Sequence, residues 1–380
     1  MNNNSKIYNH LDNSSNEVVV GGIALGGQNP IRIQSMTNTD TNNIEKSVSQ
    51  CIDLYNAGTD YVRLTVQGLR EVESMIKVQD ELRKRNINLP LIADVHFNPK
   101  VAEKAAQHFA KVRINPGNYS EKRKGKVDYS EEEYLEELNK IKTNLLPLLN
   151  ICIKYKTALR IGINHGSLSE RIMSKYGDTP EGMVESAMEF LRICRDERFY
   201  NVVVSMKSSN VLVMVQSTRL LVAKMKDEEM SFPLHLGVTE AGEGEDGRVK
   251  SAIGIGALLN DGIGDTIRVS LTENPVNEIP VAQRIVKYTL IKEKDDGVIS
   301  DEKLYYNPYN YQKRKSESIL NIGGTNPPVV ISEFYSNNEN LSNNSDLNPD
   351  FLFVENLNEN LELMRDKKFI LKYSDWSNIR

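Results

Sequence analysis

Five basic residues, Arg63, Arg113, Arg160, Lys207 and Arg268, each stand inside a short apolar or β-branched run, and the five runs lie far apart along the chain. Burying a cation without a partner costs several kcal/mol, so cations in such runs need an explanation. Among carboxylates, only Asp94 and Glu240 occupy comparable positions. A surplus of guanidinium groups converging on one point binds an anion, and the planar fork of arginine matches phosphate oxygens well. The expected ligand therefore carries phosphate. The alternative, in which each arginine pairs with a neighbouring carboxylate as an internal ion pair, suits one arginine better than several in register.

Around these cations stand residues with complementary chemistry. His96 follows Asp94 closely and is placed to donate to a phosphate. Asn115, Asn164 and Ser270 are neutral donors suited to orienting a ligand. Glu240 sits in a glycine-bearing loop (Gly237, Gly242, Gly244) and is the candidate for proton transfer, with a loop-stabilising acid as the plainer reading.

Something must bring these runs together. β-branched runs at 31–35, 61–66, 91–95, 112–115, 158–163, 202–206, 234–238 and 266–271 predict eight strands. Helical periodicity predicts helices at 44–57, 71–85, 99–109, 131–155, 180–195, 211–225, 249–260 and 276–290. This strict alternation matches an α/β fold of the (β/α)8 TIM-barrel kind, in which polar residues at the carboxyl ends of the strands form the active face. A doubly wound open sheet shows the same alternation but should carry a Gly-x-Gly-x-x-Gly turn after its first strand. Here Gly21, Gly22, Gly26 and Gly27 precede that strand and read as a small hairpin closing the barrel floor. The connection at 119–129 carries Lys122, Arg123, Lys124 and Lys126, either as a solvated loop or as a lid over an anion.

The 380 residues exceed one ordinary domain, which suits a barrel followed by an appendage. A net charge of −5 argues against nucleic acid as the main partner, and no run approaches the length of a membrane span. With no apolar signal segment, the chain is expected in the cytoplasm. Residues 1–17 read as a polar flexible tail and 18–292 as the barrel. Residues 293–380 read as an incomplete second α/β domain, with Tyr305, Tyr306, Tyr309 and Tyr311 crowded near its start. The three cysteines, Cys51, Cys152 and Cys194, are irregularly spaced within helical patterns, so they are expected to be packing thiols and no residue is assigned to a metal.

The segments at 34–41, 93–97, 113–118, 160–164, 234–242, 250–254 and 262–270 resemble the 4-hydroxy-3-methylbut-2-enyl diphosphate synthase family of the non-mevalonate isoprenoid pathway. The resemblance spans about residues 21–290, and the long connection after the fourth strand with the tyrosine-rich segment resembles the family's three-domain form. It implies an iron–sulfur oxidoreductase that reductively opens 2-C-methyl-D-erythritol 2,4-cyclodiphosphate. A barrel grips the diphosphate, and a 4Fe–4S cluster in a C-terminal domain is fed with electrons by ferredoxin or flavodoxin. By motif, Arg63, His96, Arg113, Arg160, Lys207, Arg268 and Ser270 correspond to the diphosphate cradle, with Asn164 beside it. Glu240 corresponds to the catalytic carboxylate, with Asp94 near it. The family also forms homodimers.

One departure qualifies the resemblance. The family holds its cluster with three cysteines, two in a Cys-x-x-Cys pair, and a glutamate, whereas the cysteines here fall in barrel helices. The expectation is a truncated chain that binds substrate and cannot reduce it alone. The competing expectations are a non-catalytic diphosphate-binding subunit and a barrel transferase resembling pteroate synthases.

Overall fold

The computed structural model describes residues 15–119, 125, 128–292, 313–333, 349–354, 368–372, 374 and 377. A hairpin of β1 (Val18–Val20) and β2 (Ile23–Leu25) comes first. Eight parallel strands follow: β3 (Arg32–Met36), β4 (Tyr61–Val66), β5 (Leu91–Val95), β6 (Lys111–Ile114), β7 (Ala158–Asn164), β8 (Val202–Lys207), β9 (His235–Leu236) and β10 (Thr266–Ile267). The order β8-β7-β6-β5-β4-β3-β10-β9 closes into a ring because Val204 of β8 also bridges to Leu234, with the Val204 amide donating to Pro233 O at 2.9 Å. The (β/α)8 barrel expected from the alternation is the fold observed.

Around the strands run α1 (Ile44–Asn56), α2 (Leu69–Lys84), α3 (Pro99–Ala105), α4 (Pro116–Tyr119), α5 (Glu131–Tyr155), α6 (Glu170–Tyr176), α7 (Pro180–Asp196), α8 (Val211–Asp227), α9 (Gly244–Asn260) and α10 (Glu278–Lys292). Their starts follow local chemistry. Asn43, Asn98, Ser130, Thr179 and Asn210 cap α1, α3, α5, α7 and α8 through their side chains, and Pro99 and Pro180 occupy first helical positions where no amide is needed. The short helices α4 and α6 escaped the sequence reading because each spans at most two turns. Strands predicted at 234–238 and 266–271 shorten to two residues each, yet the chain stays extended: Arg268 N donates to Leu236 O and Thr239 N to Ser208 O.

Two apolar clusters follow from the period-two alternation of strand residues. Ile33, Val62, Leu64, Ala93, Val112, Ile161 and Val204 face the helices. In the other cluster, Tyr61, Ile92, Ala158 and Val203 pack against Val18, Val20 and Leu25 of the hairpin. The Gly21–Gly22 turn, at φ +58° and +87°, supplies the two left-handed residues that a tight hairpin of this hand requires. The hairpin is fastened by Tyr61 Oη to Ile23 O and Arg32 Nε to Ala24 O. It fills the floor of the barrel, which leaves the carboxyl ends of the strands as the open end.

Residues 303–380 form a second compact unit, in which β11 (Ile331–Glu333), β12 (Phe351–Val354) and β13 (Phe369–Leu371) make a parallel three-stranded sheet. The tyrosine-rich segment at 305–311 and the basic residues Lys122, Arg123, Lys124 and Lys126 lie outside the described residues.

Candidate functional site

The alternation that sends Val112 and Ile114 outward sends Lys111 and Arg113 inward, and it repeats on every strand. Arg63, Asp94, Arg113, Arg160 and Lys207 are all buried inside the barrel, with Arg268 half-buried at its rim. Register places Asp94 beside Arg113, Arg113 beside Arg160, and Asn164 beside Lys207.

Asp94 is the hub. Its Oδ1 accepts from Arg113 NH1 at 3.1 Å, and its Oδ2 lies 3.5 Å from Arg63 Nε and 3.2 Å from His96 Nε2. Burial pushes its carboxyl up, but Arg63, Arg113 and the His96 hydrogen bond outweigh that and hold it well below the usual carboxylate range. Asp94 is therefore a fixed anion. A second carboxylate, Glu278 at the start of α10, accepts from Arg268 Nε and NH2 at 3.4 and 3.3 Å, from Ser35 Oγ at 3.3 Å and from Leu271 N at 3.1 Å. Met36 Sδ lies between two guanidiniums, 2.8 Å from Arg63 NH2 and 3.5 Å from Arg268 NH1.

Arg160 and Lys207 differ from the other cations. Arg160 is 1% exposed, and neither its Nε nor its NH1 has a hydrogen-bond partner among the described residues. Burial, reinforced by Arg63 and Arg113, pushes it well below the ordinary arginine value. Burial and the same surrounding cations do likewise to Lys207. Arg63 is lowered to about 10 by burial, with Asp94 opposing, and stays charged at neutral pH. Among the described residues, the inward basic groups Arg63, Lys111, Arg113, Arg160, Lys207 and Arg268 outnumber the inward carboxylates Asp94 and Glu278. A site of this composition favours a multiply charged anion at its mouth.

The neutral candidates are distributed around the rim. Asn115 is buried and donates to Ser167 Oγ at 2.8 Å, which ties its amide to the turn after β7. Asn164, which ends β7, and Ser270, three residues past β10, are half-buried. Glu240 is exposed, has φ +51° and makes no hydrogen bond or ion pair among the described residues. It follows Thr239, whose amide is held by Ser208 O next to Lys207, so it stands at the barrel mouth. A non-glycine residue in the left-handed region carries strain, and such residues concentrate at functional loops.

Several residues escaped the sequence reading. Glu278 had one signal, an acid ten residues after Arg268 in the first turn of the next helix. Gly162 had another, a glycine at an inward strand position. A Cβ there would sit 2.5 Å from Arg113 Nε, so the glycine leaves room for the arginine, whose NH2 donates to Gly162 O at 2.9 Å. Gly162→Ala should displace Arg113, lowering stability by about 1–3 kcal/mol through overpacking. Affinity for a phosphate ligand should fall about tenfold with the loss of one charge-assisted contact. Chemical denaturation and titration calorimetry check both, and an unchanged affinity would remove Arg113 from the site.

Comparison with known proteins places the barrel segment in a family. A sequence model of the GcpE TIM-barrel domain matches residues 15–283. Over 349 residues the chain is 54% identical to the 4-hydroxy-3-methylbut-2-en-1-yl diphosphate synthase (flavodoxin) of Phocaeicola vulgatus, covering 91% of this chain and 56% of that protein. It is 51% identical over 303 residues to the chloroplastic ferredoxin-dependent synthase of Arabidopsis thaliana, covering 79% of this chain and 41% of that one. The flavodoxin-type synthase of Leptospira interrogans is 46% identical over 347 residues, with 90% and 52% covered. The chain thus spans about half the length of the curated relatives it matches. A closed barrel with its floor plugged, its mouth lined by arginines from separate strands, and this match over residues 15–283 lead to one conclusion: the chain belongs to the GcpE TIM-barrel domain family.

Proposed function

We propose that this chain is the substrate-binding barrel of a 4-hydroxy-3-methylbut-2-en-1-yl diphosphate synthase, and that it takes 2-C-methyl-D-erythritol 2,4-cyclodiphosphate for reductive ring opening with loss of water. The observation that carries this reading is the excess of inward cations from separate strands over two carboxylates, with Arg160 buried and its Nε and NH1 unpartnered among the described residues. Arg63, Arg160, Lys207 and Arg268 grip the diphosphate. Asp94 aligns Arg113 and His96 toward it, Asn164 and Ser270 orient the ring, and Glu240 moves a proton at the mouth. Glu240 suits that role because it is exposed at the mouth and, among the described residues, is not committed to a cation as Asp94 and Glu278 are.

The iron–sulfur cluster that the activity requires does not fit the described residues. Cys51, Cys152 and Cys194 are buried in α1, α5 and α7, and no group of three or more candidate metal ligands occurs among the described residues. Burial pushes Cys51 and Cys152 up to about 12, and Cys194 higher still, so these thiols stay protonated. The barrel's part is binding and proton handling, with a flavodoxin or ferredoxin as the ultimate electron donor and the cytoplasm as the place of action. No described helix is long and apolar enough to cross a membrane.

Calorimetric titration tests the reading. The cyclodiphosphate should bind saturably, one per chain, while the dephosphorylated polyol should not bind. Equal binding of both, or of neither, contradicts it. Anaerobic treatment with iron and sulfide is expected to give no stable cluster on the barrel. Cluster formation with turnover would show that the barrel's own residues suffice.

A further inference from the structure

Lys111 opens β6 and points into the barrel, two residues before Arg113 on the same face. Its register partners are Ile92 and Ala158, both members of the apolar floor cluster. The side chain is 0% exposed, and Nζ has no hydrogen-bond partner among the described residues; the Tyr61 ring lies 4.9 Å from it. The charged groups around it are almost all basic. Arg63 on β4 and Arg160 on β7 act on it most, His235 on β9 lies within its field, and Arg113 on β6, Lys207 on β8 and Arg268 at the rim stand higher in the barrel. Asp94 on β5 is committed to Arg63, Arg113 and His96, and Glu278 to Arg268. Arg32 on β3 is paired with Asp60 at 3.5 Å. The hairpin contributes apolar side chains, Val18, Val20 and Leu25 with Ile23 packed against them.

We propose that Lys111 is a proton-uptake residue for anion binding: neutral in the ligand-free barrel, it takes a proton from solvent when a dianion settles in the cradle above it. A lone ammonium in an apolar layer beneath several cations has only the face of the Tyr61 ring to compensate it, and that contact is weaker than the cost of burial, so the neutral amine is the cheaper form. Burial, followed by Arg160 and Arg63, pushes the amine well below the ordinary lysine range in the same sense. A dianion on Arg160 and Arg63 cancels the field that opposes protonation. The nitrogen lone pair then accepts a proton released by a buffer acid through solvent, no covalent bond of the ligand changes, and the new cation strengthens the grip. The inference rests on the reading of the cradle as a phosphate site, and not on which phosphate compound occupies it.

Titration calorimetry in Tris and in HEPES reads the protons exchanged, because the two buffers differ in ionisation enthalpy. The probes are the cyclodiphosphate, whose phosphates do not titrate near neutrality, and sodium sulfate as a non-titrating dianion. The expected result is uptake of about one proton per ligand bound, with affinity falling up to about tenfold per pH unit above neutrality. Lys111→Met should bind with a flat pH profile and no uptake. Binding of the cyclodiphosphate without uptake by the wild-type chain, a comparison that needs no variant, overturns the proposal. So does undiminished uptake in Lys111→Met, which would assign the proton to Lys207 or His235. Uptake with sulfate and no binding of the cyclodiphosphate would retain Lys111 and reject the substrate. Binding of neither anion rejects both.

Discussion

Arg160→Met is expected to weaken cyclodiphosphate binding strongly while leaving the ligand-free barrel as stable as before, or more so. The two effects separate because no hydrogen bond from the wild-type Nε or NH1 to described residues is lost on substitution. A charge-assisted contact to phosphate is worth roughly 1.5–3 kcal/mol. At about 1.4 kcal/mol per tenfold, the dissociation constant should rise by roughly one to two orders of magnitude. Methionine fills a similar apolar volume and removes a desolvated charge, a replacement that is often neutral or stabilising. Arg160→Ala should lose the same affinity and some stability as well, since it leaves a cavity. Calorimetry and thermal denaturation together decide the matter. A large fall in melting temperature for Arg160→Met with unchanged affinity would make Arg160 a structural residue.

Asp94→Asn should have the largest effect on folding. The substitution removes the charge that pairs with both Arg63 and Arg113 and lies 3.2 Å from His96 Nε2, in a position 2% exposed. Breaking a buried ion pair by removing one partner costs about 3–5 kcal/mol, because the surviving charge is left without compensation. The pH dependence carries its own signature. The folded carboxyl lies below the unfolded value of about 3.9, so its stabilisation is complete above that value and is lost as pH falls through the folded one. Denaturation at neutral pH should show the full difference between wild type and Asp94→Asn, and the difference should narrow in acid. A difference that is absent at neutral pH, or equal in acid, would contradict the hub.

The sequence reading reached the barrel because each strand is a short apolar run bounded by a helix with a polar cap, and those signals are local. It reached the cations for the same reason, since a charge inside such a run is conspicuous. What it missed depended on boundaries and on space. Beginning the fourth barrel strand at Val112 left Lys111 outside, although counting back by two from Arg113 points it inward. Glu278 sits at a helix start, where an acid is ordinarily explained by the helix dipole, and only the closed ring brings it to Arg268. The role of Gly162 lies in an arginine crossing from the neighbouring strand, which no periodicity encodes.

The most direct test of the anion cradle is a crystal structure of the chain with the cyclodiphosphate. Phosphate oxygens are expected within hydrogen-bond distance of Arg160 and Lys207, with Arg63 and Arg268 alongside and Glu240 over the ring. A second cleft, of about 1020 Å3, lies at the opposite end of the barrel beside Gly21, Pro90 and Phe109. Ligand density there, with the interior arginines untouched, would contradict the account.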